Sequence, residues 1–277
     1  MGWRQRGGEA VLNGKRVAVV LPAYNAQKTL RQTVVEIDRT IVDDILLVDD
    51  GSTDETVTEA DHLGLFVIRH ETNLGYGANQ KTCYEAALKR GADIVIMLHP
   101  DYQYTPRLLT AMASMIAYGT YDAVMASRIL GKSPLKEGMP FYKYVFNRIL
   151  TLIENLMFGL KLSEYHSGYR GFTRSVLESI PFRFNSDDFV FDNQMIAQIL
   201  ISGFQLAEIS CPTRYDPQSS SISFRRSVMY GLGVLRTAME FRMARWNLYV
   251  PSYLNLTIHE SLSPSPVPTN VTHMKSH

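Results

Sequence analysis

A chain of 277 residues can form one large α/β domain or two small ones, and it is long enough to bury a sizeable core. With 45% hydrophobic residues, 20% charged residues and a formal net charge of +1, it has no basic excess of the kind that nucleic-acid binding requires. Its two cysteines, Cys83 and Cys211, lie far apart and away from any histidine cluster, which excludes a disulfide framework or zinc site and favours a reducing, cytoplasmic location.

Residues 1–14 are polar and contain glycine, so we expect a flexible leader there. Four apolar runs then alternate with stretches of helical character, which is the pattern of βαβ units in a parallel sheet. The strands are predicted at 17–21, 45–48, 65–68 and 94–98, with helices at 28–41, up to about Leu63, and at 77–90. Further strands are predicted near 123–127 and 206–209. The sequence thus predicts one α/β domain over residues 15–250, followed by a disordered Ser/Pro-rich tail over 251–277.

Two long helices are predicted late in the chain, at 141–160 and 224–248, each with an apolar stripe at helical spacing. The second also carries five arginines, which favours contact with anionic lipid. Packing against the body of the domain is the commoner fate of such stripes, so both interpretations stay open. No run reaches the roughly 18 apolar residues of a spanning helix, and no secretion signal is evident. Any membrane contact is therefore expected to be peripheral, at the inner face.

Ligands of parallel α/β sheets bind beyond the carboxyl ends of the strands, so the polar turns after strands one, two and four are the first place to look. The first turn, Pro22-Ala23-Tyr24-Asn25, offers an aromatic ring for a nucleoside base and an amide for its polar edge. The second presents Asp50, whose carboxylate can accept from a base N–H or a ribose hydroxyl. Alternatively, these are an ordinary strand-to-helix turn and a cluster of helix caps.

Two further turns suit a diphosphate. Gly75 and Gly77 open a predicted helix, where glycine permits close backbone approach and the helix N-terminus favours anions. The fourth strand delivers His99-Pro100-Asp101-Tyr102-Gln103, in which Asp101 and Gln103 are hard oxygen ligands suited to Mg²⁺ or Mn²⁺. A capping aspartate beside a surface glutamine is the alternative interpretation of that segment.

Taken together and in this order, the four turns resemble those of the family 2 glycosyltransferases, which have the GT-A fold, and most closely their dolichyl-phosphate mannose synthase branch. The resemblance runs from about Val17 to Tyr215. It implies that the donor nucleotide-sugar is held by the residues of the first turn, by Asp50 and by the loop glycines, and that the metal is held by the 99–103 segment. Two positions depart from the family pattern: Ala26 replaces a glutamate, and His99 replaces the first aspartate of the metal motif, which favours Mn²⁺ because imidazole is an acceptable ligand.

The resemblance also implies an acceptor site built from scattered cations and a Ser-Gly-Tyr-Arg motif. The implied acceptor residues are Arg128, Lys143, Ser167 and Arg170, and Arg214 is implied to bind donor phosphate. Arginine suits phosphate because its planar fork donates two hydrogen bonds at once. Asp101 and Arg128 are expected to act in catalysis, and Asp192 is the candidate general base if the acceptor is a hydroxyl. A phosphate acceptor is already anionic and needs no base.

The resemblance therefore implies an inverting, metal-dependent hexosyltransferase. It would move a sugar from a nucleotide diphosphate donor, GDP-mannose or a UDP-sugar, to a polyprenyl-phosphate acceptor. Two alternatives remain. One is transfer to a hydroxyl of a soluble acceptor. The other is a nucleotide-sugar-binding protein without turnover, which the departures from the family pattern at His99 and Ala26 suggest.

Overall fold

The computed structural model describes residues 12–131, 134–213 and 224–256. The strands are β1 (Val17–Ala23), β2 (Asp44–Asp49), β3 (Phe66–Arg69), β4 (Ile94–Met97), β5 (Ala123–Ser127), β6 (Arg170–Thr173) and β7 (Leu206–Ser210). The helices are α1 (Gln27–Val35), α2 (Thr56–His62), α3 (Tyr76–Lys89), α4 (Leu109–Ala117), α5 (Phe141–Phe158), α6 (Arg174–Ser179), α7 (Phe191–Ile201) and α8 (Phe224–Arg245). Short 3₁₀ turns lie at Pro106–Leu108, Phe182–Phe184 and Ser252–Leu254.

The seven strands form one sheet in the order β3-β2-β1-β4-β6-β5-β7. Strand β6 runs antiparallel to both of its neighbours, and the remaining pairs are parallel. Strands β2 and β3 are added in sequence on one side of β1, and β4 then pairs with β1 on its other side. This change of direction opens a crevice at the carboxyl ends of β1 and β4, which is where ligands bind in such sheets. The predicted single α/β domain with a mixed, mainly parallel sheet is confirmed.

Successive side chains of β1 enter opposite cores, as the pleat of a strand requires. Val17, Val19 and Leu21 pack with α1, α2 and α4, whereas Ala18 and Val20 pack with α3, α6 and α7. A third cluster joins α5, α7 and α8 through side chains that include Phe158, Ile196 and Phe241. Strands β1, β2, β4 and β5 are thus buried on both faces, which explains why they read as continuous apolar runs, whereas the edge strands β3 and β7 are partly exposed.

Several predicted boundaries need correction. Leu12 is buried in the first core, and Tyr253 and Leu254 are buried in the third, so the folded body extends beyond 15–250 at both ends. Helix α1 ends at Val35 rather than 41, because the Asp38 carboxylate accepts hydrogen bonds from the backbone and hydroxyl of Thr40 and forms a turn. Strand β6 was not predicted, since it has only four residues and two of them are Arg170 and Gly171.

The apolar stripe of α5 faces outward. Its Phe146, Ile149 and Leu156 are roughly half or more exposed, while Asn147 and Glu154 on the opposite side are buried. Helix α5 ends at Gly159, whose φ of 76° is the left-handed conformation that terminates helices. Across the parts of the chain that the structure describes, no helix combines the length and apolar character needed to cross a bilayer.

Candidate active site

The first turn leaves one aromatic ring open at the crevice. Ala23 at the end of β1 lies beside Asp49 at the end of β2, so the two following turns are neighbours. Asn25, at φ 53°, is tied to the second turn: its N–H donates to Ser52 Oγ at 2.8 Å, and its Oδ1 accepts from Thr53 N at 2.9 Å. Pro22 and Ala23 are buried, but Tyr24 is 54% exposed. Its ring is therefore available to pack on a base, whereas the Asn25 amide oxygen is already engaged.

Asp50 organises the loop after β3. Its Oδ1 accepts from Leu74 N at 2.9 Å and lies 2.7 Å from His70 Nδ1, and its Oδ2 accepts from Gly75 N at 3.0 Å. A carboxylate offers about four lone pairs, so three donors leave room for one more. The Asp50 side chain is also almost completely buried. Holding the 73–75 loop is thus its primary role, and a single further bond to a nucleoside is the most it can add.

The glycine loop is used differently from the prediction. The N–H groups of Gly77 and Ala78 donate to the Asp187 carbonyl at 2.7 and 3.4 Å, and Gly75 N is bound to Asp50. A Cβ on Gly75 would lie 2.6 Å from that same carbonyl oxygen, and one on Gly77 would lie 2.3 Å from Ser186 O. The two glycines therefore permit close packing of two backbone segments. They do not present free N–H groups to a phosphate.

The 99–103 segment turns sharply after β4. Tyr102 has φ 57°, a conformation unusual for a residue with a side chain, and its hydroxyl is anchored on Glu36. Asp101 Oδ1 accepts from Gln103 N at 3.0 Å, and Pro100 O accepts from the Thr33 hydroxyl. The Asp101 and Gln103 side chains are both half-buried. Gln103 also borders a cavity of about 320 Å³.

His99 is held by a residue that the sequence analysis did not single out. Its Nε2 lies 3.1 Å from the Tyr76 hydroxyl, and that hydroxyl donates to Asp192 Oδ2 at 2.8 Å. The His99 and Tyr76 rings stack with centroids 5.5 Å apart. Gly168 closes the site from the other side, since a Cβ there would lie 2.3 Å from His99 Nε2. Tyr76 and Gln80 are four residues apart and so lie on one face of a helix, and this spacing could have predicted that they share a partner.

Asp192 is a supporting group rather than an open base. It is 7% exposed, with Oδ1 accepting from Gln80 Nε2 at 3.1 Å and Oδ2 accepting from Tyr76. The Arg170 guanidinium lies 3.9 Å from Oδ2. Burial and the neighbouring Asp192 carboxylate raise the pKa of Tyr76 well above its usual value, so the phenol keeps its proton. The role of general base, predicted for a hydroxyl acceptor, does not fit a carboxylate enclosed in this way.

Arg170 also departs from its predicted role as an acceptor ligand. It is 2% exposed, and its guanidinium donates to the carbonyls of Ser167, Asp192 and Tyr165, each at 2.8 Å. An arginine with its donors spent on backbone carbonyls pins the 165–167 loop to α7. Ser167 is buried as well, and its hydroxyl has no hydrogen-bond partner among the described residues.

The remaining predicted cations differ in their surroundings. Arg128 pairs with the buried Glu164, and its guanidinium also donates to the His166 carbonyl at 3.2 Å. The pair lowers the pKa of Glu164 against the desolvation that raises it, so Arg128 enters the site as half of an ion pair. Lys143 is half-buried in the first turn of α5. Arg214 lies outside the described residues.

A ring of four side chains, of which Glu154 and Asn193 are buried and His166 and Tyr230 half-buried, connects the C-terminal helices to the site. Asn193 Nδ2 donates to Glu154 Oε1 at 2.6 Å, and the Tyr230 hydroxyl donates to Asn193 Oδ1 at 2.9 Å. His166 Nδ1 lies 2.9 Å from that hydroxyl, and its Nε2 lies 3.3 Å from Glu154 Oε2. Burial raises the pKa of Glu154 well above its usual value and lowers that of His166 to about 4. Glu154 Oε2 and His166 Nε2 are both buried and make no hydrogen bond, so one proton shared across the 3.3 Å between them would complete the ring.

A comparison with protein-family models identifies the family to which this chain belongs. The model described as "Glycosyl transferase family 2" matches residues 18–180, which is more than half of the chain. The chain belongs to glycosyl transferase family 2. The predicted family is confirmed, and the sheet with its C-terminal additions is the GT-A fold of these enzymes.

Individual family 2 relatives match over most of their length. The UDP-N-acetylglucosamine–dolichyl-phosphate N-acetylglucosaminyltransferase of Methanococcus voltae is 25% identical over 248 residues, which covers 83% of this chain and 98% of the relative. The polyprenol monophosphomannose synthase of Mycolicibacterium smegmatis is 25% identical over 242 residues, with 84% and 88% covered.

Among solved structures, glucosyl-3-phosphoglycerate synthase of Mycobacterium tuberculosis, in complex with Mn²⁺, UDP-glucose and phosphoglyceric acid, superposes with a TM-score of 0.63. Its identity to this family 2 chain is 18%, and the match covers 91% of this chain and 86% of the other. At that identity the likeness supports the fold alone.

Proposed function

We propose that this family 2 protein transfers a glycosyl group, with inversion, from a nucleotide diphosphate sugar to a lipid-linked phosphate of the polyprenyl type. The relatives from Methanococcus voltae and Mycolicibacterium smegmatis are named for reactions of this class, on dolichyl phosphate and polyprenol. The observation that carries the proposal for this chain is the exposed apolar surface of α5 and α8.

The donor would bind over the ends of β1, β2 and β4. Tyr24 offers an exposed ring for the base, and the buried Asp50 has one lone pair left for a polar edge. Guanine and uracil both present an N–H that a carboxylate can accept, so these residues fit either base. The sugar would then lie towards His99 and Gly168, where the crevice is closed by the Ser-Gly-Tyr-Arg loop.

The residues of the 99–103 segment fit a divalent cation shared with the donor. No group of three His, Cys, Asp or Glu side chains suited to a metal occurs among residues 12–131, 134–213 and 224–256, so the protein alone does not complete a site. Asp101 and Gln103 supply oxygen and His99 supplies nitrogen, and Mg²⁺ or Mn²⁺ commonly takes one or two protein ligands plus phosphate oxygens. When bound, the cation would neutralise charge that develops on the leaving diphosphate.

The enclosure of Asp192 favours an anionic nucleophile. Transfer to a hydroxyl needs a base within hydrogen-bond reach of the proton that it removes. Asp192 instead accepts from Tyr76 and Gln80 and is almost inaccessible. A phosphate acceptor arrives already deprotonated, so it can attack the anomeric carbon directly while the donor carbon–oxygen bond to the diphosphate breaks. Lys143 and Arg128 would supply positive charge for such a phosphate.

The surface of α5 and α8, here called the apolar face, suits a lipid interface. The two helices pack along each other and leave large apolar side chains in solvent. These are Phe141, Tyr142, Phe146, Ile149, Leu152 and Leu156 on α5, and Val228, Met229, Leu232 and Met239 on α8, with Trp246, Leu248, Tyr249 and Val250 following. Contiguous apolar patches of this kind mark sites of interaction on otherwise soluble surfaces.

The charges around the apolar face agree with a membrane of anionic lipid. Arg225, Arg226 and Arg245 of α8 are exposed. Arg242 donates to the Leu156 carbonyl and lies 5.9 Å from the ring of Trp246. Cations and aromatic rings at the rim of an apolar surface are the arrangement found where helices lie in the bilayer interface. Such attachment would be peripheral and sensitive to salt.

Vesicle co-sedimentation with a matched pair of variants tests this proposal. Leu156 is 68% exposed on the apolar face, and Val35 is 71% exposed on α1, outside it. Leu156→Glu should weaken binding to anionic vesicles by about tenfold or more, the value of burying one leucine, whereas Val35→Glu should leave it unchanged. Leu156→Glu should also lose transfer to a polyprenyl phosphate carried in vesicles.

Two results would contradict the proposal. One is absence of vesicle binding at low salt together with full transfer to a water-soluble hydroxyl acceptor, which would favour the soluble-acceptor enzyme. The other is nucleotide-sugar binding without hydrolysis or transfer under any condition, which would favour a binding protein without turnover.

A further inference from the structure

The hydrogen bonds that link Asp192, Tyr76 and His99 fix the position of one proton. The Tyr76 hydroxyl has a single proton, and it donates this proton to Asp192 Oδ2 at 2.8 Å. Gln80 Nε2 also donates to Asp192, and the Arg170 guanidinium lies nearby, so the carboxylate is the acceptor in this network. The phenol oxygen can then only accept from His99 Nε2, 3.1 Å away. The His99 nitrogen that carries hydrogen is therefore Nε2.

A neutral imidazole protonated at Nε2 has its lone pair on Nδ1. His99 Nδ1 has no hydrogen-bond partner among the described residues, so none of them uses its lone pair. It lies in the same turn as Asp101, two residues further along the chain. The imidazole cannot readily rotate, because Tyr76 stacks on one side and Gly168 leaves no room for even a methyl group beside Nε2.

We propose that Tyr76 is a positioning residue that holds His99 in the Nε2–H tautomer, so that Nδ1 is the nitrogen offered to the divalent cation. This inference rests on the proposed function, because it takes His99 to be a ligand of the metal that binds the donor diphosphate. Hydrogen bonds from outer groups fix the tautomer of metal-binding histidines in many proteins, usually through a carboxylate or a carbonyl. Here a tyrosine carries the effect of the Asp192 carboxylate to His99 across one additional hydrogen bond.

The first test needs neither donor nor acceptor. Long-range ¹H–¹⁵N correlation spectra of metal-free, ¹⁵N-histidine-labelled protein report the tautomer of each neutral histidine, and His99→Ala assigns the signal. The wild type should show the Nε2–H pattern for His99. Tyr76→Phe, which keeps the ring contacts with His99 and Phe189 but removes the hydroxyl, should shift the signal towards a mixture of tautomers.

Tyr84→Phe is the matched control, because it removes another buried hydroxyl of α3 that donates to Gln80 Oε1 at 2.7 Å and does not touch His99. It should leave the tautomer unchanged. An Nδ1–H pattern in the wild type, or an unchanged spectrum in Tyr76→Phe, would overturn the inference. Both outcomes are independent of whether the protein transfers sugar, so they are distinct from failure of the proposed function.

The second test measures Mn²⁺ binding by electron paramagnetic resonance in the presence of UDP or GDP. Tyr76→Phe should weaken Mn²⁺ binding by about tenfold, the lower end of losses from removing such supporting groups. Combining it with His99→Ala should add little to the loss from His99→Ala alone, because Tyr76 acts through His99. Equal Mn²⁺ affinity in the wild type and Tyr76→Phe, or fully additive losses, would contradict the positioning role.

Discussion

Replacing Glu154 by glutamine should make the protein more stable at neutral and alkaline pH. The buried ring needs one donor towards His166 Nε2 and one acceptor for Asn193 Nδ2. A glutamine amide supplies both without binding a proton, whereas the glutamate must keep one, on itself or on His166. Glu154→Gln is therefore a close mimic of the protonated side chain in size and in hydrogen bonding.

The magnitude follows from counting protons. In the unfolded chain the ordinary pKa values are 4.5 for glutamate and 6.5 for histidine, so above pH 6.5 neither residue is protonated. Burial raises the pKa of Glu154 well above its ordinary value, so the folded pair keeps its proton to a higher pH than the unfolded chain does. Its stabilisation is thus present at low pH and is lost as the pH rises, at about 1.4 kcal/mol per pH unit. The count is the same whichever of Glu154 and His166 carries the proton.

Urea unfolding at pH 7 and pH 8 measures this difference. The free energy of unfolding of Glu154→Gln should gain about 1.4 kcal/mol on the wild type over that one unit, since other groups titrate alike in both. Glu154→Ala is the control for loss of the ring, and it should be less stable at both pH values by about 1–3 kcal/mol for each polar group left unpaired. Parallel pH dependence in the wild type and Glu154→Gln would instead mean that the folded pair holds no proton.

Three further predictions concern the site. Asp101→Ala should lower transfer at least about a hundredfold, the scale of removing one electrostatic stabiliser, with an unchanged circular dichroism spectrum; near-full activity, or activity in excess chelator, would exclude a metal at this segment. Tyr24→Ala should weaken UDP or GDP binding in titration calorimetry with little change in melting temperature, whereas Asp50→Ala should lower both, because Asp50 also holds the Leu74 and Gly75 amides. Unchanged affinity in both variants would mean that the donor pocket lies elsewhere. His99→Asp should raise activity with Mg²⁺ relative to Mn²⁺, and an unaltered preference would place His99 outside the metal site.

The fold was largely predictable because its central strands, such as β1, β2 and β4, are buried on both faces. Continuous apolar runs such as Val17–Leu21 identify such strands, and polar turns such as Pro22–Asn25 identify the end of the sheet where ligands bind. Strand β6 escaped prediction because its sequence, Arg-Gly-Phe-Thr, has no apolar run. Its burial follows from pairing with β4 and β5.

The roles of individual site residues were less predictable, because they depend on partners distant in sequence. Arg170 has the composition of a phosphate ligand, but three backbone carbonyls take its donors. Gly77 fits a phosphate loop equally well until the Asp187 carbonyl is seen to occupy its amide. The stripe at 141–160 shows an amphipathic helix, but the periodicity cannot reveal that polar side chains such as Glu154 face the core.

The proposed transfer of sugar to a lipid phosphate can be followed in a single assay. Purified protein is incubated with Mn²⁺, a polyprenyl phosphate in anionic vesicles and, in turn, each of a set of radiolabelled UDP- and GDP-sugars. Label from at least one donor should enter the organic phase as a glycosylated polyprenyl phosphate of inverted anomeric configuration, and Asp101→Ala should abolish this. Donor-dependent transfer to a water-soluble hydroxyl acceptor, with no label in the lipid phase for any donor, would contradict the proposed transfer to a lipid phosphate.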